Sequence, residues 1–244
     1  MTPLYQEEYK KLDVITHLEE LRKRILYCLA ALVVASVVAF WQGDRIMRLV
    51  REPVSGLVDE LIFISPTEAF MAYIKVALLA GFVISFPVIL YNLWAFISPA
   101  LDKRIRGRVV IWLSAALLLF LAGVSFSYFL AIPAALKFLI GFSSDVAVAM
   151  ITLGRYVSFF GALTLIGGIT FEIPIIIGLL SDAGILKSKD LRQKRHYAVI
   201  VIMIFAAVIT PTQDILNMLL FALPMMALYE VGVLISAYIE RKRP

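Results

Sequence analysis

One cysteine and two histidines in 244 residues leave little of the usual apparatus of catalysis. Cys28 lies inside an apolar run, so no disulfide joins two parts of the chain and the redox compartment stays open. His17 and His196 sit in polar segments remote from each other, and no Gly-x-Ser-x-Gly, HExxH or paired-cysteine motif is present. Metal, nucleotide and intramembrane-protease chemistry are therefore poorly served, and no cofactor is expected. Charge is scarce too: 17% of residues are charged, against about 25% in soluble domains. Internal repeats and low-complexity stretches are absent. The net charge of +5 is carried by short loops beside apolar runs, which is no nucleic-acid signal.

What fills the chain instead is hydrophobic, 61% of it. Apolar runs at 25–41, 70–97, 109–131, 158–180, 197–209 and 215–239 predict six transmembrane helices in a single membrane domain covering 1–244. The run 197–209 is short: thirteen residues make about 20 Å of helix, less than a hydrocarbon core of about 30 Å. Residues 1–24 read as a polar cytoplasmic segment rather than a cleavable signal. Residues 42–68 read as a mixed-charge loop. There Ser65, Pro66 and Glu68 spell an N-cap, a first helical proline and a capping box for the second span. Residues 132–157 carry Pro133, Lys137, Asp145 and Arg155, and read as interfacial helix and loop that do not cross.

Orientation follows from the bases. Seventeen of the twenty-three Lys and Arg lie in the two tails and in the loops 98–108 and 181–196. Five lie on the other side, and Lys75 is placed to snorkel from the start of the second span. The positive-inside rule then puts both termini in the cytoplasm of a cell bounded by this membrane.

Two acidic motifs stand out. Glu172, in TFEIP, lies three residues past the middle of the fourth span, where a charge costs about 2.5 kcal/mol or more. Pro174 follows two residues later and leaves the Thr170 carbonyl without its helical donor. A kink and an acid thus coincide at membrane depth. The second motif, HLEELRKR, precedes the first span. Thr16 and Glu19 fit a capping box, and Glu19–Lys23 and Glu20–Arg24 are i,i+4 pairs of favourable polarity. The functional alternative is that Glu20 offers a carboxylate to a cationic ligand at the membrane surface, as an arginine fork would use. ITPTQD divides in the same way: Thr212 or Asp214 caps the sixth helix, or the turn binds. Glu230 is placed to reach the cytoplasmic interface.

HLEELRKR, SPTEAF, PVILYNLWAFISPAL, TFEIP, DLRQKRHYAVI, ITPTQD and ALPMMALYEVG occur in that order, and together they resemble TatC, the multispanning receptor subunit of the twin-arginine protein translocase. The resemblance covers nearly the whole chain. It implies an all-α cup of six helices with short fifth and sixth helices, and a function without covalent catalysis. Such proteins bind twin-arginine signal peptides of folded cargo at the cytoplasmic face of the inner membrane. They assemble with TatA- and TatB-type single-span proteins and with copies of themselves, and transport is driven by the proton-motive force. Carried onto this chain, Glu20 would meet the arginine pair, with Glu19, Arg22 and Leu101 nearby and Pro87 and Phe96 shaping the same surface. Pro53 and Asp214 would belong to extracytoplasmic loops needed for activity, and Glu172 to the inner wall of the cup. One position departs from the pattern. Where many relatives carry an acid after Pro-Ala-Leu, this chain has Ile105, so Asp102 substitutes, Glu19 takes a larger share, or one carboxylate suffices.

The competing expectation is an ion-coupled small-solute transporter with Glu172 as proton carrier, since Pro-broken spans occur in such folds. The missing repeat and the single intramembrane acid argue against it.

Overall fold

The computed structural model describes the backbone of residues 3–58, 60–100, 107–141, 150–209 and 215–242, with side chains from residue 16 onward except at 100, 209 and 215–217. It is all helix, and no strand occurs among the described residues. Helix α1, Pro3–Trp41, is 39 residues long. At about 1.5 Å per residue it reaches roughly 58 Å, so it crosses a bilayer and projects well beyond it. After Pro3 no glycine or proline interrupts it before Gly43, so HLEELRKR continues into the first span without a break. This corrects the capping-box expectation at Thr16 and Glu19: both lie inside α1, where every backbone N–H already has a helical acceptor.

The segment expected as a loop contains a short helix, α2, Gly43–Arg51. Its buried residues Gly43, Met47 and Val50 recur at i, i+4 and i+7, which lays one face on the protein. Asp44 in its first turn and Arg48 and Arg51 in its last complement the helix dipole. Helix α3, Pro66–Ile97, runs unbroken through Pro87. Helix α4, Val109–Phe126, passes through a five-residue π segment, Ser127–Ala131, into α5, Ile132–Gly141. The third crossing helix thus extends ten residues past its expected end, correcting the reading of 132–141 as a piece folded over the membrane edge. The wider π turn accommodates the missing N–H and the ring of Pro133.

Helices α6, Leu153–Thr170, and α7, Ile173–Asp182, are the two halves of the span that carries Glu172. A surface turn, α8 (Ser188–Gln193), leads to α9 (Arg195–Ile209) and α10 (Ile215–Arg241). Five helical stretches are long and apolar enough to cross a membrane, and α9 is a shorter apolar helix of the same kind. Six apolar helices in an all-α membrane fold match the expected architecture, and α9 is short as expected. Helix α10, at 27 residues, is long enough to cross and corrects the expectation of a short sixth helix, because its apolar run continues through Pro224 into the polar end of the chain.

Helix α1 packs along α3; α6 packs against α3 and α4; α10 packs against α7 and α9. Hydrocarbon solvates leucine as well as a protein interior does, so close backbone approach has to supply much of the packing energy. Small residues provide it. A side chain at Gly81 would run into Ser36 of α1, and one at Gly123 into the backbone at Gly167. The buried core gathers toward the end away from the termini, around Met47, Val76, Ile132, Tyr156, Phe160 and Leu163.

At that end the elements are tied by polar bonds. The Ser65 hydroxyl caps α3 by accepting from the Thr67 N–H at 3.3 Å. The Glu68 carboxylate accepts from the Ile64 N–H at 3.0 Å and from the Gly154 N–H at 2.9 Å, so it clasps the start of α6 as well as its own helix. Ile62 pairs with the chain at 151–153 through two backbone bonds. The carbonyls of Leu49 and Val50, at the end of α2, accept from the hydroxyls of Tyr128 and Tyr156. Lys75, expected to snorkel, donates to the Ser158 hydroxyl of α6 at 2.8 Å.

Candidate functional site

Because α1 continues uninterrupted, Thr16, Glu19, Glu20, Lys23, Arg24 and Tyr27 fall on one stripe and line an open hollow of about 410 Å³. Glu20 accepts from Arg24 Nη2 at 3.2 Å, and both side chains are only part-exposed, 33% and 28%. The expected i,i+4 pair is therefore present. Glu19 and Lys23, both exposed, do not form its counterpart.

Three residues before Glu20, the His17 ring stacks on Phe96 of α3, with centroids 4.5 Å apart and planes at 18°. Phe96 is thereby brought beside the carboxylate stripe. Below it, α1 and α3 part to leave an apolar cavity of about 260 Å³ whose lining includes Leu21, Ile25 and Leu29 on one side and Phe82, Leu93 and Phe96 on the other. Arg24 borders both spaces. A part-shielded carboxylate already holding a guanidinium thus stands at the mouth of a greasy groove. That arrangement suits a cationic segment followed by apolar residues.

The other expected site residues are scattered. Arg22 is exposed on α1 and does not line the hollow. Pro87 is exposed on α3 and lines neither space. Leu101, Asp102 and Asp214 lie outside the described residues. Pro53, half-buried, is the middle residue of the turn Glu52–Val54 at the opposite end, where Val54 enters the core.

Glu172 occupies the break between α6 and α7. Its N–H bonds the Ile169 carbonyl at 3.1 Å, a tightened turn, and its carbonyl starts α7 by accepting from Ile176 at 3.0 Å. Pro174 is in the first turn of α7. The coincidence of acid and helix break expected from the sequence is present. Oε1 of Glu172 is buried without a hydrogen-bond partner, a costly state for a carboxyl oxygen unless something polar reaches it.

Some polar residues have no counterpart in the sequence reading. Asp182, at the end of α7 and 3% exposed, lies 3.5 Å from the Arg108 guanidinium at the start of α4. Glu240 accepts from the Ser188 N–H at 2.7 Å and from its hydroxyl, capping α8 from the end of α10. Glu230 pairs with Arg195 at the start of α9. The only linear cue for Asp182 was an acid closing the run IIIGLLSD.

Comparison with known proteins identifies the family. The family model described as Sec-independent protein translocase protein (TatC) matches residues 16–224. A Sec-independent protein translocase protein TatC from Carboxydothermus hydrogenoformans is 35% identical over 235 residues, spanning 96% of this chain and 97% of the relative.

The chain belongs to the TatC family.

The TatC protein of Aquifex aeolicus is 36% identical over 93% of this chain and 95% of its own length. That of Escherichia coli is 36% identical over 92% and 88%. A crystal structure of the twin-arginine translocase receptor TatC superposes with a TM-score of 0.79 at 35% identity, covering 92% of this chain and 100% of the other. TatC membership supports a protein-translocase component and not the small-solute carrier weighed for Glu172.

Proposed function

We propose that this chain, a core subunit of the twin-arginine translocase by family, receives the twin-arginine signal peptides of folded cargo at Glu20. The observation that carries the reading is the Glu20–Arg24 pair at the head of the apolar α1–α3 groove. An incoming arginine competes with Arg24 for the carboxylate. The apolar residues that follow it then have the groove wall of Leu21, Ile25 and Phe96 to lie on. Glu19 and Phe96 flank the contact, while Arg22, Pro87, Leu101 and Asp102 act around it. The termini and the basic loops face the cytoplasm, as the positive-inside rule favours.

Glu172 and the Pro53 and Asp214 loops serve assembly and transport rather than first contact. The unpartnered Oε1 at a helix break supports a role for Glu172 in holding water or docking a polar residue of a TatA-type helix. TatA- and TatB-type single-span proteins and further copies of the chain are its partners, and the proton-motive force drives transport.

The test is binding of a fluorescent twin-arginine signal peptide to the full-length protein in lipid nanodiscs. A hydrogen bond to a charged group contributes about 1.5–3 kcal/mol, so Glu20→Gln weakens binding at least ~10-fold. A twin-lysine peptide, lacking the planar fork, binds weakly to both proteins. Equal affinity of the Glu20→Gln protein removes Glu20 from the site.

A further inference from the structure

Bases are few on the side away from the termini, and three of the five, Arg45, Arg48 and Arg51, sit on the nine-residue helix α2. Its inner face is buried, while all three arginines and Leu49 are exposed. The chain bends between α1 and α2 at Gln42, whose carbonyl accepts from the N–H groups of Arg45 and Ile46 at 3.0 and 3.1 Å. The bend encloses a hollow of about 260 Å³ lined by Trp41, Gln42, Asp44, Arg45 and Arg48.

Trp41 is 80% exposed and Leu49 59%, so large apolar surface stands beside the guanidiniums. Asp44 is the one carboxylate in the lining, and it is engaged by the Tyr73 hydroxyl at 3.0 Å. No carboxylate among the described residues ion-pairs with Arg45 or Arg48. Arg51 and the exposed Glu52 are the remaining charges on this stretch.

Each feature has a matching demand at a bilayer surface. Guanidiniums bind phosphate oxygens through parallel N–H bonds. Tryptophan settles at headgroup level. An amphipathic helix with basic and apolar residues side by side lies in the interface plane. Trp41 is also the last residue of a helix that crosses the membrane, which fixes the hollow at that level. We propose that the α1–α2 bend binds an anionic phospholipid in the leaflet opposite the termini, its phosphate between Arg45 and Arg48 and its glycerol region against Trp41. Asp44, held by Tyr73, keeps the phosphate on the outer side of the helix. A soluble polyanion would find the same arginines but gain nothing from Trp41 and Leu49.

The experiment is native mass spectrometry of the full-length protein released from mixed micelles of phosphatidylcholine and phosphatidylglycerol. Each arginine near an anionic surface contributes about 5-fold in binding. Arg45→Gln with Arg48→Gln is therefore expected to cut retained phosphatidylglycerol ~30-fold, with an unchanged melting temperature in phosphatidylcholine alone. Lys137→Gln, an exposed base on the same side, leaves retention as it was. Arg45→Lys with Arg48→Lys keeps the charge but not the fork and loses only a few-fold. Undiminished retention in the double glutamine variant overturns the proposal, and so does equal retention of phosphatidylcholine by the native protein. Displacement of the lipid by millimolar inorganic phosphate overturns it as well, by showing a free-phosphate site.

Discussion

Two regions of this membrane protein, the end away from the termini and the candidate binding stripe on α1, are built on opposite terms. Away from the termini, backbone groups at helix ends are tied by side chains: Glu68 locally to Ile64, and from distant elements Glu68 to Gly154 and Tyr128 and Tyr156 to α2. The core concentrates there. Toward the termini, the candidate binding stripe on α1 has one internal ion pair, an aromatic stack and two open spaces. A scaffold needs its polar groups satisfied at home. A receptor needs some of them available, and a carboxylate held only by an i,i+4 arginine on a part-exposed helix is worth little to stability. The contrast fits a rigid clasp in the first region and supports the proposed recognition role for the second.

Substitutions can break or sharpen that contrast, and the largest effect is expected at Glu68. Glu68→Ala removes two charge-assisted bonds to backbone donors, one of them across to α6, and so unclasps the starts of both helices. Thermal melting in detergent should fall by several degrees while peptide binding in the protein that remains folded is unaltered. Next comes Gly167→Leu. A side chain there would strike the Ser127 hydroxyl and the Gly123 carbonyl, and overpacking of this kind costs about 1–3 kcal/mol. Tyr156→Phe is milder, about 1 kcal/mol, because it deletes one bond and leaves the ring in place. Glu20→Ala should be smallest in stability, within about 0.5 kcal/mol, although it is the most damaging to peptide binding. A melting temperature that drops as far for Glu20→Ala as for Glu68→Ala would dissolve the distinction.

Much of this was legible in the sequence, for physical reasons that also explain the misses. Long apolar runs reveal crossing helices because lipid leaves no other place for them, and the Glu172–Pro174 break is local chemistry that one chain segment declares. The Ser65 cap was legible too, but Glu68 was read as serving its own helix alone. Its second partner, Gly154, is 86 residues away and left no local mark. Helix α2 was hidden because nine residues with three arginines read as a charged loop until a core is present to bury Gly43, Met47 and Val50. The extension of α4 through Pro133 was missed because proline usually ends a helix, and a π turn that absorbs it has no composition of its own. At the candidate site, Glu20 and Arg24 were apparent from spacing. That His17 would lie on Phe96, and that an apolar groove would open beneath them, depended on how α1 and α3 pack.

The most direct test of recognition at the α1 stripe is photo-crosslinking from position 23, which lines the hollow while leaving Glu20 in place. With a twin-arginine signal peptide the account predicts a strong crosslink to the otherwise native protein, and loss of it on Glu20→Gln or with a twin-lysine peptide. An equally strong crosslink in the Glu20→Gln protein would contradict it.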